Sequence, residues 1–202
     1  NLKWSAYLRG ENNYDVAAYS LDINSKNEIY TCGTTVVDVS STTNAFVAKI
    51  SSDGQTRKAY HEFGTSDLDE AYFVRIGTDD KVYVTGQTEG RYPVSNANWS
   101  VPNGGNFIHC FSSDLDQTIF STSFGVAYQP NLVPTAFMID ECNRIYFSGW
   151  GGYYNKSRNG GIGGLETTNS GGEYKGSDGS SDNFYLMVLE ENANDIIFGS
   201  YF

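Results

Sequence analysis

Ile29-Tyr30-Thr31-Cys32-Gly33, Val82-Tyr83-Val84-Thr85-Gly86 and Ile145-Tyr146-Phe147-Ser148-Gly149 are three copies of one pattern: a β-branched apolar residue, a tyrosine, two strand-forming or small residues, and a glycine. From Gly33 to Gly86 is 53 residues, and from Gly86 to Gly149 is 63. Self-similarity at a period of tens of residues signals one supersecondary unit copied and stacked, so no residue can be assigned a role before the repeat is understood. The pattern points away from an enzyme built around a single pocket.

A second stretch keeps the same order in each copy. Asn44-Ala45-Phe46-Val47-Ala48-Lys49-Ile50, Asn106-Phe107-Ile108-His109-Cys110-Phe111 and Asn183-Phe184-Tyr185-Leu186-Met187-Val188-Leu189 each run into a polar turn, beginning at Ser51, Ser112 and Glu190. A third stretch follows each turn, at 56–63, 118–124 and 195–202. In the first unit, residues 18–23, 28–33, 45–51 and 57–63 are rich in Tyr, Ile, Val, Phe and Thr, with Gly, Asn, Asp and Ser between them, which predicts four short strands. The bends between first and second strands are Asn24-Ser25-Lys26-Asn27, Gly77-Thr78-Asp79-Asp80 and Asp140-Glu141-Cys142-Asn143, all turn-tolerant residues. No window sustains an apolar pattern at helical spacing. The fold class predicted is all-β: about three four-stranded antiparallel blades of a β-propeller, over 11–63, 64–124 and 125–202, with residues 1–10 forming an outer strand of a preceding blade. A sandwich does not require a sequence repeat, and solenoid coils are usually shorter.

At this point the residues resemble a known family. Trp4-Ser5-Ala6-Tyr7-Leu8-Arg9-Gly10, then Asp15, Ala18 and Tyr19, then Ile29 to Thr35 and Ala45 to Ser51 look like a bacterial β-propeller repeat of the pattern W-x-x-Y-L-G-G, D-x-A, D-x-x-G-N-V-Y-V-T-G, A-F-V-A-K. Asp69-Glu70-Ala71-Tyr72 and Ser148-Gly149-Trp150-Gly151-Gly152 keep the pattern in the later units. Departures fall in turns: Arg9 replaces the first of two glycines, Gly77 replaces an acidic residue, and Lys26, Asp80 and Asn143 stand where glycine is common. The resemblance implies a secreted or surface-displayed scaffold or adhesin of Bacteroidetes-type bacteria, associated with gliding motility and type IX secretion. It also implies partners among other domains of the same long chain, neighbouring surface proteins, and glycans.

Three blades do not close a ring that usually needs about four to eight, so the expectation is a segment of a longer chain; the alternative is an assembly in which several chains complete the ring. The start, Asn1-Leu2-Lys3-Trp4, has no basic region followed by an apolar run, and no stretch approaches the ~18 apolar residues of a membrane-spanning helix. A net charge of −11 and a pI near 4.5 argue against nucleic acid and against an anionic membrane surface as partners, because both call for clustered Lys and Arg, and with no long apolar stretch no direct membrane insertion is expected. Cys32, Cys110 and Cys142 lack CxxC spacing, so neither a zinc site nor a disulfide framework is expected. Cys32 and Cys110 fall in predicted strands and should be buried, whereas Cys142 falls in a turn.

No cofactor and no metal site is expected. His61 and His109 are the only histidines and no G-x-S-x-G elbow occurs. Asp114-Leu115-Asp116 and the 178–182 segment are oxygen-rich but do not match the calcium loop D-x-[DN]-x-[DN]-G, and the glycines of 160–164 precede no helix pattern. Asp67, Asp69 and Glu70 supply the best case for an enzyme, a carbohydrate-active propeller using a loop carboxylate pair. Asp15 stands at the place of Asp69 in the first unit, so a loop-fixing role explains both more simply.

The feature that does not repeat is the insertion at 150–182, glycine-rich and carrying Trp150, Tyr153, Tyr154 and Tyr174. A smaller insertion at 89–105 carries Tyr92, Pro93 and Trp99. Long loops on a rigid scaffold are common binding elements, and their aromatic rings can stack on sugars or on a partner domain. Trp150, Tyr153, Tyr154 and Trp99 are the candidate ligand-binding residues, with a covering loop packed on its own blade as the competing interpretation.

Overall fold

A computed structural model of the chain describes residues 5, 7–10, 15–36, 42–151, 165–168 and 183–202. Twelve strands are assigned among them: β1 (Val16–Ile23), β2 (Ile29–Val36), β3 (Thr43–Ile50), β4 (Arg57–Phe63), β5 (Asp69–Ile76), β6 (Val82–Thr88), β7 (Gly104–Phe111), β8 (Thr118–Ala127), β9 (Val133–Ile139), β10 (Ile145–Gly151), β11 (Asn183–Leu189) and β12 (Ile196–Tyr201). They form three four-stranded antiparallel sheets in chain order, here sheet I (β1 to β4), sheet II (β5 to β8) and sheet III (β9 to β12). The all-β class and the four-strand repeat expected from the sequence are both present.

Each hairpin turn solves the same backbone problem with different residues. In the β1–β2 turn the Asn27 N–H donates to the Asn24 carbonyl at 2.9 Å; Asp80 to Gly77 and Asn143 to Asp140 repeat the bond at 3.0 and 2.9 Å. The closing residue takes a left-handed conformation, with φ of 59° at Asn27, 60° at Asp80 and 55° at Asn143. Asn and Asp tolerate that region better than other side-chain-bearing residues, which is why these turns form without glycine. In the first unit the position is Asn27, not the Lys26 expected from the repeat.

The repeat extends to irregularities that no pattern of residue types announces. The first strand of every sheet carries a bulge opposite the shared glycine, with Tyr19, Tyr72 and Thr135 as the extra residues. The fourth strand carries another, at Lys58, Ile119 and Ile197. Bulges add local twist, so matching bulges give the three sheets matching curvature.

The register corrects one equivalence. Ala18 pairs with Gly33 and Ala71 with Gly86, so Asp69, opposite Thr88, corresponds to Val16, opposite Thr35. Asp15 corresponds to Leu68: the Asp15 carbonyl accepts from Val36 N–H as the Leu68 carbonyl accepts from Glu89 N–H. Asp15 lies four residues before its bulge tyrosine and Asp69 three, and that single residue shifts the frame.

In the N-terminal stretch the described residues, Ser5 and 7–10, are assigned no strand. The Arg9 carbonyl accepts a bond from the Arg57 guanidinium at 2.6 Å, a side-chain anchor instead of a strand ladder. At the boundary expected at 124/125, β8 runs on to Ala127, where it pairs with Gly104.

The sheets bury one another in series. Tyr30, Cys32 and Val47 on one face of sheet I join Val74, Val82, Val84, Phe107 and Phe111 of sheet II in one core. Tyr83, Ile108, Cys110 and Phe120 on the opposite face of sheet II join Phe137, Phe147, Tyr185, Met187 and Leu189 of sheet III in the other. Each large apolar side chain enclosed this way contributes about 1.5–3 kcal/mol of hydrophobic stabilisation, so two such layers supply most of what holds the repeats together. β5 lies against β1, β2 and β3 and against β9, which sets the first strands side by side.

Candidate functional site

Polar side chains lock the stack at its turns, and the lock repeats. The Ser25 N–H and Oγ donate to Asp80 Oδ1 and Oδ2 at 3.0 and 2.7 Å, tying the first turn of sheet I to that of sheet II. One sheet further, Thr78 Oγ1 meets Asn143 Oδ1 at 3.5 Å. A cation on each sheet likewise reaches the β3–β4-type turn of the next: Lys49 Nζ to Asp114 Oδ1 at 2.9 Å, and Lys81 Nζ to Glu191 Oε1 at 3.4 Å. Lys49 also bonds the buried Glu28 at 2.9 Å, and Lys58 takes the other oxygen. The ammonium of Lys58, then that of Lys49, then the Asn24 amide hold the Glu28 carboxyl at about 2. Burial alone would lower the Lys49 pKa, but Asp114 and Glu28 override it and raise it.

The outer face of sheet III has no sheet against it among the described residues. Tyr146, Ser148 and Trp150 of β10 share that face with Leu186 and Phe184 of β11, because Ser148 pairs with Leu186 and Trp150 with Phe184. Together with Phe73, Arg75, Phe137 and Met138, several of them line a groove of ≈ 510 Å³. Phe184 and Met138 are half exposed. Trp150, partly buried on this face, is the one candidate aromatic among the described residues that lies on an open sheet face.

Trp99 has a different environment. It is 9% exposed inside the core between sheets II and III, its indole N–H donates to Glu166 Oε2 at 2.8 Å, and its backbone N–H donates to the Ala193 carbonyl at 3.0 Å. Its polar atom is already used and its ring is enclosed. Tyr153 and Tyr154, with Tyr174 and the 160–164 and 178–182 segments, lie outside the described residues. Residues 165–168 of the insertion are tied to sheet III: the Leu165 N–H donates to Tyr201 Oη at 2.9 Å, and the Thr168 N–H to the Gly199 carbonyl at 3.2 Å. The two insertions thus meet through Trp99 and Glu166 and cover the core at this point.

Asp69 is fully buried, and burial raises its pKa. Its Oδ2 accepts from the Thr65 N–H at 2.6 Å and from Thr65 Oγ1 at 2.9 Å, bonds that pin the loop between β4 and β5. Glu70 accepts from the Tyr72 hydroxyl at 2.7 Å. Asp116 bonds Ser112 Oγ at 2.6 Å while Asp114 faces Lys49, so both act as turn and interface partners. Among the described residues no group of three or more His, Cys, Asp or Glu is placed to hold a metal ion. His109 is enclosed beside Tyr92 and Thr118, at 2.8 and 2.9 Å, and burial holds its pKa at about 3. Cys32 and Cys110 are buried and free, and Cys142 is exposed and free.

Comparison with protein-family models and with curated proteins finds no match for the chain. The class that the fold defines is an all-β protein of three repeated four-stranded antiparallel sheets.

Proposed function

We propose that the three sheets are consecutive blades of a β-propeller and that the chain is a non-catalytic scaffold module, which binds protein through the open face of its last blade. The observation that carries this proposal is the Trp150-bearing apolar face, the counterpart of faces that sheets I and II each bury under the next sheet. The propeller arrangement draws support from the side-by-side first strands and from the bulges that recur in each sheet. Display outside a bacterial cell, as in the adhesin-like proteins of gliding bacteria, follows from the resemblance of the repeat. A rigid platform of this kind acts by presentation, and many weak contacts add through avidity when copies are displayed together.

The second function, a carbohydrate-active propeller, rests on the Asp67, Asp69 and Glu70 group; the loop-pinning bonds of Asp69 favour the scaffold. Incubation with a broad polysaccharide panel and a glycan array tests both. The scaffold predicts no sugar release and no glycan signal. Sugar release abolished by Asp69→Asn would establish the enzyme, and glycan binding lost in Trp150→Ala would move the ligand from protein to sugar.

A further inference from the structure

The outer faces of sheets I and III, at the two ends of the described stack, carry at matching positions the kinds of residue that the interior junctions bury. Leu21, Ile23, Ile29 and Ile50 of sheet I occupy the positions of Val74, Ile76, Val82 and Phe111 in sheet II, as the strand registers show. In sheet II these positions pack on sheet I, and Val74, Val82 and Phe111 are buried. In sheet I, Leu21 and Ile23 remain 67% and 51% exposed. At the other end, Met138 and Phe184 of sheet III are 54% and 50% exposed.

The polar locks of the interior junctions are half-made at both ends as well. Arg144 follows the third turn as Lys81 follows the second, and each pairs with an acid of its own turn, Arg144 with Asp140 and Lys81 with Asp79. Lys81 also reaches Glu191 on the next sheet. The corresponding turn of sheet I offers Ser52 and the exposed Asp53. The place of Ser25 and Thr78 is taken in the third turn by Glu141, and the place of Asp80 and Asn143 is taken in the first by Asn27. A carboxylate facing a side-chain amide is again a donor and acceptor pair.

From this complementarity we infer that the occupant of the open face of sheet III is a second copy of this chain, docked head to tail with its sheet I on that face. Arg144 of one copy then pairs with Asp53 of the other, and Glu141 with Asn27. The contact is heterologous, with different patches meeting, so the free ends of two copies meet again when the rotation closes. Two copies of the three described sheets bring six together, inside the range of about four to eight found in closed propellers. This inference rests on the serial stacking of the blades proposed above.

Sedimentation equilibrium of the intact protein at several concentrations is the test. The expected mass is that of two chains, with Arg144→Glu or Asp53→Arg each weakening association by about tenfold or more, since like charges then face one another. An equimolar mixture of the two variants should recover association, because the two reversed charges are again opposite in sign where they meet across one junction. Leu21→Glu and Met138→Glu, one on each face, should give monomers that melt cooperatively. A monomeric protein with an unchanged cooperative melt would overturn the pairing while leaving the stack intact, as would association that neither reversal alters. Loss of cooperative melting in the unaltered protein would instead count against the stacked blades.

Discussion

Gly33 lies directly beneath the main chain of Ala17: a Cβ built on Gly33 would stand 1.8 Å from the Ala17 carbonyl oxygen. Gly86 has the same relation to Glu70, at 1.9 Å. In sheets I and II the carbonyl of the strand beside each bulge lies over the glycine and requires it there, while sheet III keeps the bulge at Thr135 without that approach. At Gly149 the nearest atoms belong to the side chains of Phe147 and Leu132, at 3.0 and 3.1 Å.

The difference separates three substitutions that look alike in sequence. Gly33→Ala and Gly86→Ala should each cost on the order of 3 kcal/mol or more, because backbone must move. Gly149→Ala should cost about 1 kcal/mol, since side chains can shift. Chemical denaturation of the three variants checks the order, and equal losses would remove the carbonyl approach as the reason for the glycine in sheets I and II.

Lys49 joins sheet I to sheet II through Glu28 and Asp114, and Lys49→Met leaves Glu28 buried with one cation fewer. Breaking a buried pair from one side costs about 3–5 kcal/mol; Lys58 remains, so the expected loss is about 2–3 kcal/mol. The Glu28 pKa is depressed on folding, so its contribution is present above the ordinary carboxylate range and disappears as pH falls toward about 2. In Lys49→Met the acid-unfolding midpoint should move to higher pH, followed by circular dichroism.

His109 supplies a second pH dependence of opposite chemistry. It is neutral in the fold, with a pKa near 3, while the unfolded chain takes up the proton near its ordinary 6.5. Its effect on stability is therefore flat above about pH 6.5, and stability declines below it by at most about 1.4 kcal/mol per pH unit until about pH 3. Urea titrations at pH 7, 5 and 4 should show this fall, and His109→Gln should flatten it.

Trp99 and Trp150 should part company. Trp99→Ala empties a core position, a loss of about 3–5 kcal/mol. Trp150→Ala, on the open face, should change stability by about 1 kcal/mol or less and act instead on association. Melting curves beside sedimentation would reverse this assignment if Trp150→Ala proved the more destabilising.

The strands of the first unit are legible in sequence because Tyr, Val, Ile and Thr runs are cut by Asn, Ser and Asp at every bend; the strand predicted over 57–63 is β4, Arg57–Phe63. The glycine is legible too, but its reason is not, because the atom above it belongs to a strand more than ten residues earlier. The shift between Asp15 and Asp69 escapes for a related cause: the frame is set by hydrogen-bond partners across the sheet, and a one-residue offset leaves residue types looking aligned. Trp99 and Trp150 cannot be told apart in sequence, since both sit by glycine-rich insertions without a period that would report burial. The pairing of Trp99 with Glu166 spans both insertions, so neither one predicts it alone.

Each sheet closes over the one before it, and the native thiols report on that closure. Cys32 lies between sheets I and II, Cys110 between sheets II and III, and Cys142 on an exposed turn. Burial raises the pKa of the Cys32 and Cys110 thiols, which further suppresses their reactivity. Titration of the folded, reduced protein with a chromogenic disulfide reagent should find one rapidly reacting thiol per chain, abolished by Cys142→Ser, with the other two appearing only on unfolding. Two or three rapidly reacting thiols in the folded protein would contradict the stack.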